Sequence, residues 1–187
     1  MAETILEAVQ KRVLLGDGAM GTQLQYAGLE PGGCGEAWNV DHPNRLLAIQ
    51  RAYVEAGCDC LITNTFGGCR IMLKRHNRAD DVVAINRAGT DLAREAFGSK
   101  SGFVIGDIGP FGGLMEPYGD VSEQQVREAF SEQIETLVSA GVDAIIIETQ
   151  TALEELSIGI KAAKKAGAPC IIGSMAYDVT TDGSEIR

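Results

Sequence analysis

The stretch Ala140-Gly141-Val142-Asp143-Ala144-Ile145-Ile146-Ile147 (AGVDAIII, residues 140–147) sets a helix-ending Ala-Gly directly before a short apolar run. The same arrangement recurs as AGCDCLIT at 56–63 and AGAPCIIG at 166–173. Glycine suits the left-handed position just past a helix C-terminus. The run that follows is short and rich in Ile, Leu and Cys, as in a strand buried on both faces. Repetition of helix, glycine and buried strand predicts α/β architecture with a parallel sheet.

The segments around these copies agree. SEQQVREAFSEQIETLVSAG (122–141) opens with a Ser122/Gln125 capping box and keeps Val126, Phe130, Ile134 and Leu137 on one helical face. HPNRLLAIQRAYVEAG (42–57) places Pro43 in a first turn and Gly57 at a stop. DDVVAINRAGTDLAREAFG (80–98) reads as a further helix stopping near Gly98. With Val13–Leu15 and Phe103–Ile105 added, strands are predicted over 13–16, 59–64, 103–107, 143–148 and 169–175. There is no linker or low-complexity segment, so the 187 residues read as one domain or part of one.

Each predicted strand delivers a polar or small residue at its C-terminal end: Asp17, Asn64 with Thr65, Asp107, Glu148 and Ser174. In an open sheet only strands at the switch point share a ligand, whereas in a closed barrel all these ends converge on one mouth. The pattern therefore favours an arc of a barrel. The competing reading is that such residues cap the helices that follow them.

A formal net charge of -10 argues against nucleic acid or an anionic membrane as partner. No apolar run is long enough to cross a bilayer, and the N-terminus lacks a signal-peptide layout, so a cytoplasmic location is expected. The five cysteines, Cys34, Cys58, Cys60, Cys69 and Cys170, read as reduced thiols used mainly as small buried hydrophobes. Trp38 is expected to be buried. His42 and His76 fall at helix ends and read as capping or solvated residues, and Asp107 as a support for the loop after it.

Gly16-Asp17-Gly18-Ala19-Met20-Gly21 satisfies G-x-G-x-x-G, the dinucleotide-binding fingerprint. Its context does not. Gly28, Pro31, Gly32, Gly33 and Gly35 permit only a short helix after it, and the next strand starts near Cys60. Asp17 would also face a bound pyrophosphate. Among glycines that let backbone approach a small ligand, this carboxylate suits a cation such as the ammonium of an amino acid.

GDGAMGTQL (16–24), NTFGG (64–68), GDIGPFGG (106–113) and IIIETQTALEEL (145–156) together resemble the homocysteine S-methyltransferase family, from about residue 10 onward. The resemblance implies a TIM barrel whose zinc holds homocysteine as a thiolate, the form that attacks a methyl donor. That donor is methylcobalamin on a corrinoid domain, or a sulfonium or ammonium compound. On this likeness residues 1–187 form the N-terminal part of a homocysteine-binding (β/α) barrel domain with about five of eight strands. Asp17 and Glu148 match acidic positions implicated in homocysteine binding. Gly18 belongs to the same glycine loop, and backbone amides near Asn64, Thr65 and Phe66 are placed to receive the substrate carboxylate.

The family's zinc ligands lie in an Asn-Cys element and a Gly-Gly-Cys-Cys-Gly element, and neither occurs in this sequence. The expectation is accordingly a substrate half-site whose metal ligands belong to a further barrel portion, with no catalytic residue assigned here. Two alternatives from other classes are a non-catalytic amino-acid-binding or split-barrel partner subunit, and, more weakly, a nucleotide-binding oxidoreductase.

Overall fold

A computed structural model describes residues 3–177, 179 and 181. Three short helices, α1 (Ile5–Val9), α2 (Met20–Tyr26) and α3 (Trp38–Asp41), precede the long α4 (Pro43–Ala56). The alternation then runs β1 (Cys60–Ile62), α5 (Arg70–Lys74), α6 (Val82–Phe97), β2 (Phe103–Ile108), α7 (Glu123–Ser139), β3 (Ala144–Gln150), α8 (Leu153–Ala166) and β4 (Ile171–Met175). The strands form one parallel sheet in the order β1-β2-β3-β4. Each neighbour is next in sequence, as in the wall of a (β/α) barrel.

The helix signals act as their chemistry requires. Ser122 caps α7 in a reciprocal box with Gln125, and Pro43 opens α4. Gly57, Gly141 and Gly167 all adopt positive φ after their helices, at 100°, 89° and 75°. The glycine-rich turn at 16–21 opens only the seven-residue α2, and no strand comes before Cys60, so it lacks the compact strand-turn-helix unit of a dinucleotide site.

The predicted strand at 13–16 is the exception. It contracts to a single parallel bridge between Gly16 and Cys60. Leu15 O accepts the Asp59 and Cys60 amides, and the Asp17 amide donates to Cys60 O. The Asp59 carboxylate accepts the Leu15 amide at 2.9 Å and pairs with Arg12 at 2.6 Å. The contact is confined to the start of β1. Val13 and Leu15 are 83% and 59% exposed, because no strand among the described residues lies on their other side. The sheet therefore has four strands and a bridge in place of five strands.

Period-2 alternation divides the sheet into two faces. Leu61, Val104, Ile145 and Ile147 face the helices, in a core with Leu46 of α4, Phe97 of α6, Phe130, Ile134 and Leu137 of α7 and Ile158 of α8. Cys60, Ile62, Phe103, Ile105, Ala144, Ile146, Cys170 and Ile172 form the other, interior cluster, to which α1 contributes Ile5 and Ala8. This second cluster fills the barrel side of the sheet. Its next members along the strands are polar.

Candidate functional site

Continuing the interior alternation by one step brings Asn64 after Cys60 and Ile62, Asp107 after Phe103 and Ile105, and Glu148 after Ala144 and Ile146. All three line one cavity of about 550 Å³ at the C-terminal ends of the strands, where barrel sites lie. Asp17 and Gly18 enter it from the glycine loop, and Phe66 from the turn after β1. Met20, Leu24, Leu29 and Met72 supply apolar wall, and Glu36 and His76 complete the lining. His76 is exposed, as the solvated reading expects, and lies on the cavity's rim. Ser174 continues β4 in the same parity but lies outside the lining.

Among the described residues none of the polar tips caps a helix. The helices α2, α5 and α8 have Ala19, Cys69 and Ala152 at their N-caps, with no side-chain capping bond. The carboxylates at the strand ends are left for the cavity.

Asp17 is held from below: its Oδ2 accepts the Ile62 amide at 3.0 Å. Burial, reinforced by the charge of Glu148, pushes its carboxyl up to about 6 against the lowering by backbone hydrogen bonds. Burial also raises Glu148. Asp107 is only 5% exposed, and burial with the charges of Glu148, Glu36 and Asp17 raises it well above the carboxylate range. Removing carboxylates from water favours their neutral form, and so does crowding them. An arriving cation relieves both effects.

A local irregularity adjoins Glu148 at the end of the regular alternation. The β3–β4 register shifts between Ile147 and Gln150, and Thr149 sits at φ 58°. A β-branched residue in the left-handed region is strained, and bulges at barrel rims re-aim side chains. Here the bulge falls on the Glu148-Thr149 pair.

The NTFGG turn is built from close approaches. Asn64 Nδ2 donates to Gly35 O at 2.8 Å and to Asn39 Oδ1 at 2.9 Å, tying the glycine segment before α3 to the end of β1. Thr65 is fully buried and outside the lining; its Oγ1 donates to Asp107 O and its amide to Thr63 O. The Phe66 ring lies against Gly109, where a Cβ would come within 2.7 Å of it. Glu36 Oε1 accepts the Gly67 amide at 2.8 Å. A Cβ on Gly68 would lie 2.6 Å from Asn86 Oδ1, so the second glycine is a packing requirement.

The residues present do not fit the zinc that the resemblance implies. The cavity lining carries no thiol, and Cys58, Cys60 and Cys170 lie at the opposite, N-terminal ends of their strands. Among the described residues no group of three or more His, Cys, Asp or Glu is placed to hold a metal. The cysteines are free, and burial raises the thiols of Cys34, Cys60 and Cys69 to about 11. Among the described residues no helix is long and apolar enough to cross a membrane.

Fold and cavity together define an arc of a TIM-type (β/α) barrel with a carboxylate-lined cavity at its mouth. Residues 14–187 match the homocysteine S-methyltransferase family, and the chain belongs to it. It is 35% identical over 175 residues to methionine synthase of Mycobacterium tuberculosis (strain ATCC 25618 / H37Rv) and 34% identical to that of Mycobacterium leprae (strain TN). Each match covers 87% of this chain, which spans 14% of the length of these curated relatives. Among solved structures it is similar to the homocysteine methyltransferase MmuM from Escherichia coli. The metallated form gives a TM-score of 0.74, covering 92% of this chain and 66% of that one. The oxidized form gives 0.75, with 94% and 68% covered. At 20% identity both likenesses bear on the fold alone.

Asp107 and Glu36 are the lining carboxylates that sequence reasoning did not assign to the site. For Asp107 a signal was available: FVIGD and AIIIE share the same interior parity, so the logic that selects Glu148 also selects Asp107. Glu36 sits in a glycine-rich segment without periodicity, and only tertiary contact brings it to Gly67.

Proposed function

We propose that this chain supplies the substrate-gripping part of a homocysteine S-methyltransferase of the methionine synthase type, residues 1–187 being the N-terminal part of its homocysteine-binding barrel domain. The observation that carries this reading is the meeting of Asp17 and Glu148 in one cavity, close enough for Glu148 to raise Asp17. Two carboxylates in a partly desolvated site hold an ammonium group by charge-assisted hydrogen bonds.

The substrate carboxylate then lies toward the NTFGG turn. The amide of Thr65 is committed to Thr63 and that of Gly67 to Glu36, so the amides of Asn64 and Phe66 are the proposed donors. Gly18 lets the loop backbone approach; the Tyr53 ring, 3.0 Å from where its Cβ would lie, closes the space behind it. Phe66, Met20 and Met72 form the apolar wall along which the substrate's two-carbon thiol side chain runs. A zinc ion, when supplied by a further barrel portion, provides the thiolate chemistry; this chain holds and orients the amino-acid end. The methyl donor or a corrinoid domain is the proposed partner, in the reducing cytoplasm that free cysteines suit.

Titration calorimetry with homocysteine tests the assignment. Asp17→Asn and Glu148→Gln keep shape and remove charge, and each should weaken binding roughly ten- to hundredfold, the range for a charge-assisted hydrogen bond. The desamino analogue 4-mercaptobutanoate, which has no ammonium, should bind both variants no more weakly than the parent chain. Unchanged homocysteine affinity in both variants overturns the reading.

A further inference from the structure

Asp107 stands apart from every other carboxylate among the described residues. It is 5% exposed, it lines the cavity, and its Oδ1 is buried without a hydrogen-bond partner. Buried polar atoms in folded proteins are nearly always paired, so an orphan at a cavity floor marks either a strained site or a ligand's place. Asp107 has no structural task that would explain it. Its backbone is fully used, the amide donating to Thr63 Oγ1 and the carbonyl accepting from Thr65 Oγ1 and Gln133 Nε2, while the side chain forms no ion pair. That backbone clamp fixes the side chain on the interior face, in register with Ile146 and two residues below Glu148 on the next strand.

We propose that the Asp107 carboxylate is a third acceptor for the ligand's ammonium, at the floor of the site whose rim is formed by Asp17 and Glu148. This rests on the homocysteine reading for the ligand's identity, but not for its chemical class, a primary ammonium. A primary ammonium has three N–H donors, and a floor carboxylate beneath two rim carboxylates gives each donor an acceptor. A secondary or quaternary amine has too few donors to use all three.

The arrangement also couples binding to protons. The groups facing Asp107 are Asp17, Glu148 and Glu36, all acidic, with His76 on the same lining. In the empty cavity burial and these charges favour the protonated form of Asp107. When the ammonium arrives its positive charge replaces that proton, which leaves to solvent; no bond to carbon forms or breaks.

The test follows the Asp107 carboxyl carbon by NMR in the full chain near neutral pH, while propylammonium or homocysteine is added. Either ligand should shift this resonance from the protonated to the ionised position. Calorimetry in buffers of different ionisation enthalpy should show proton release on binding. Asp107→Asn should lower affinity for both ligands roughly ten- to hundredfold and reduce that release, while 4-mercaptobutanoate binding is retained. If homocysteine binds but the Asp107 resonance stays fixed and Asp107→Asn binds as tightly, the third-acceptor role is wrong and the homocysteine reading stands. If propylammonium moves the resonance and homocysteine does not bind, the ammonium site stands and the substrate reading falls. If the resonance responds to neither ligand, the proposal is overturned, whatever the behaviour of the variant.

Discussion

Thr149 lies next to Glu148, in a conformation that β-branched residues rarely adopt. The left-handed φ of 58° accompanies the β3 bulge that adjoins Glu148, and the Thr149 side chain itself is exposed. Strain of this kind costs about 1–3 kcal/mol and persists when the surroundings over-determine it. Asparagine tolerates the left-handed region better, so Thr149→Asn should raise stability by about 1 kcal/mol in chemical denaturation. Homocysteine affinity should be unchanged, because the bulge is kept. A loss of stability would mean that the threonine is held there by a contact worth more than its strain.

At the scale of elements, two of the three recurring segments carry an aspartate three residues after the alanine, and this residue staples strands together. Asp143 Oδ2 accepts the Val104 amide at 2.7 Å and an Arg94 contact at 2.9 Å, while the Asp143 amide donates to Val104 O. Asp59 does the same for Leu15 with Arg12 beside it. The third segment has Pro169 before its Cys170 and carries no such carboxylate. Hydrogen bonds to a charged group contribute about 1.5–3 kcal/mol, less where solvent screens them, and the Asp143 side chain is 33% exposed. Asp143→Ala should therefore destabilise the chain by about 1 kcal/mol and speed hydrogen exchange at the Val104 amide. Unaltered exchange there would show that the β2–β3 ladder holds without the staple.

For the whole molecule, the cavity makes pH dependence run against the usual direction for carboxylates. Asp17 is raised from 3.8 to about 6 in the folded chain, so the folded state holds a proton that the unfolded state has released between those values. Stability from this group is fully present below about pH 4 and is lost as pH rises through about 6. Paired carboxylates such as Asp59, held low by the Leu15 amide and Arg12, and Asp41, held low by Arg78, act in the opposite sense. The difference in thermal stability between the parent chain and Asp17→Asn isolates the effect. The parent should lose ground to the variant as pH rises from 4 to 7, and a difference rising with pH would refute it. Ligand stabilisation should grow over the same interval, because the ammonium binds the ionised form.

Local chemistry determined much of this protein from sequence: glycines that stop helices, the Ser122 box, buried apolar runs and a polar residue at each run's end. These signals act over a few residues, so the parallel alternation and the positions of Asn64 and Glu148 at strand ends were legible directly. The first strand was not, because a ladder needs a partner along its length and β1 offers one only around Cys60; the Asp59 carboxylate adds to the few backbone bonds made there. Nor did sequence reveal that Asn64 and Thr65 are drawn into backbone anchoring, since their partners Gly35, Asn39 and Asp107 are distant along the chain. Tertiary structure alone decided the electrostatics of the site. A carboxylate's charge state depends on burial and on other charges brought near it, and only the closing of the glycine segment over the strand ends places Glu36, Asp17 and Glu148 around Asp107.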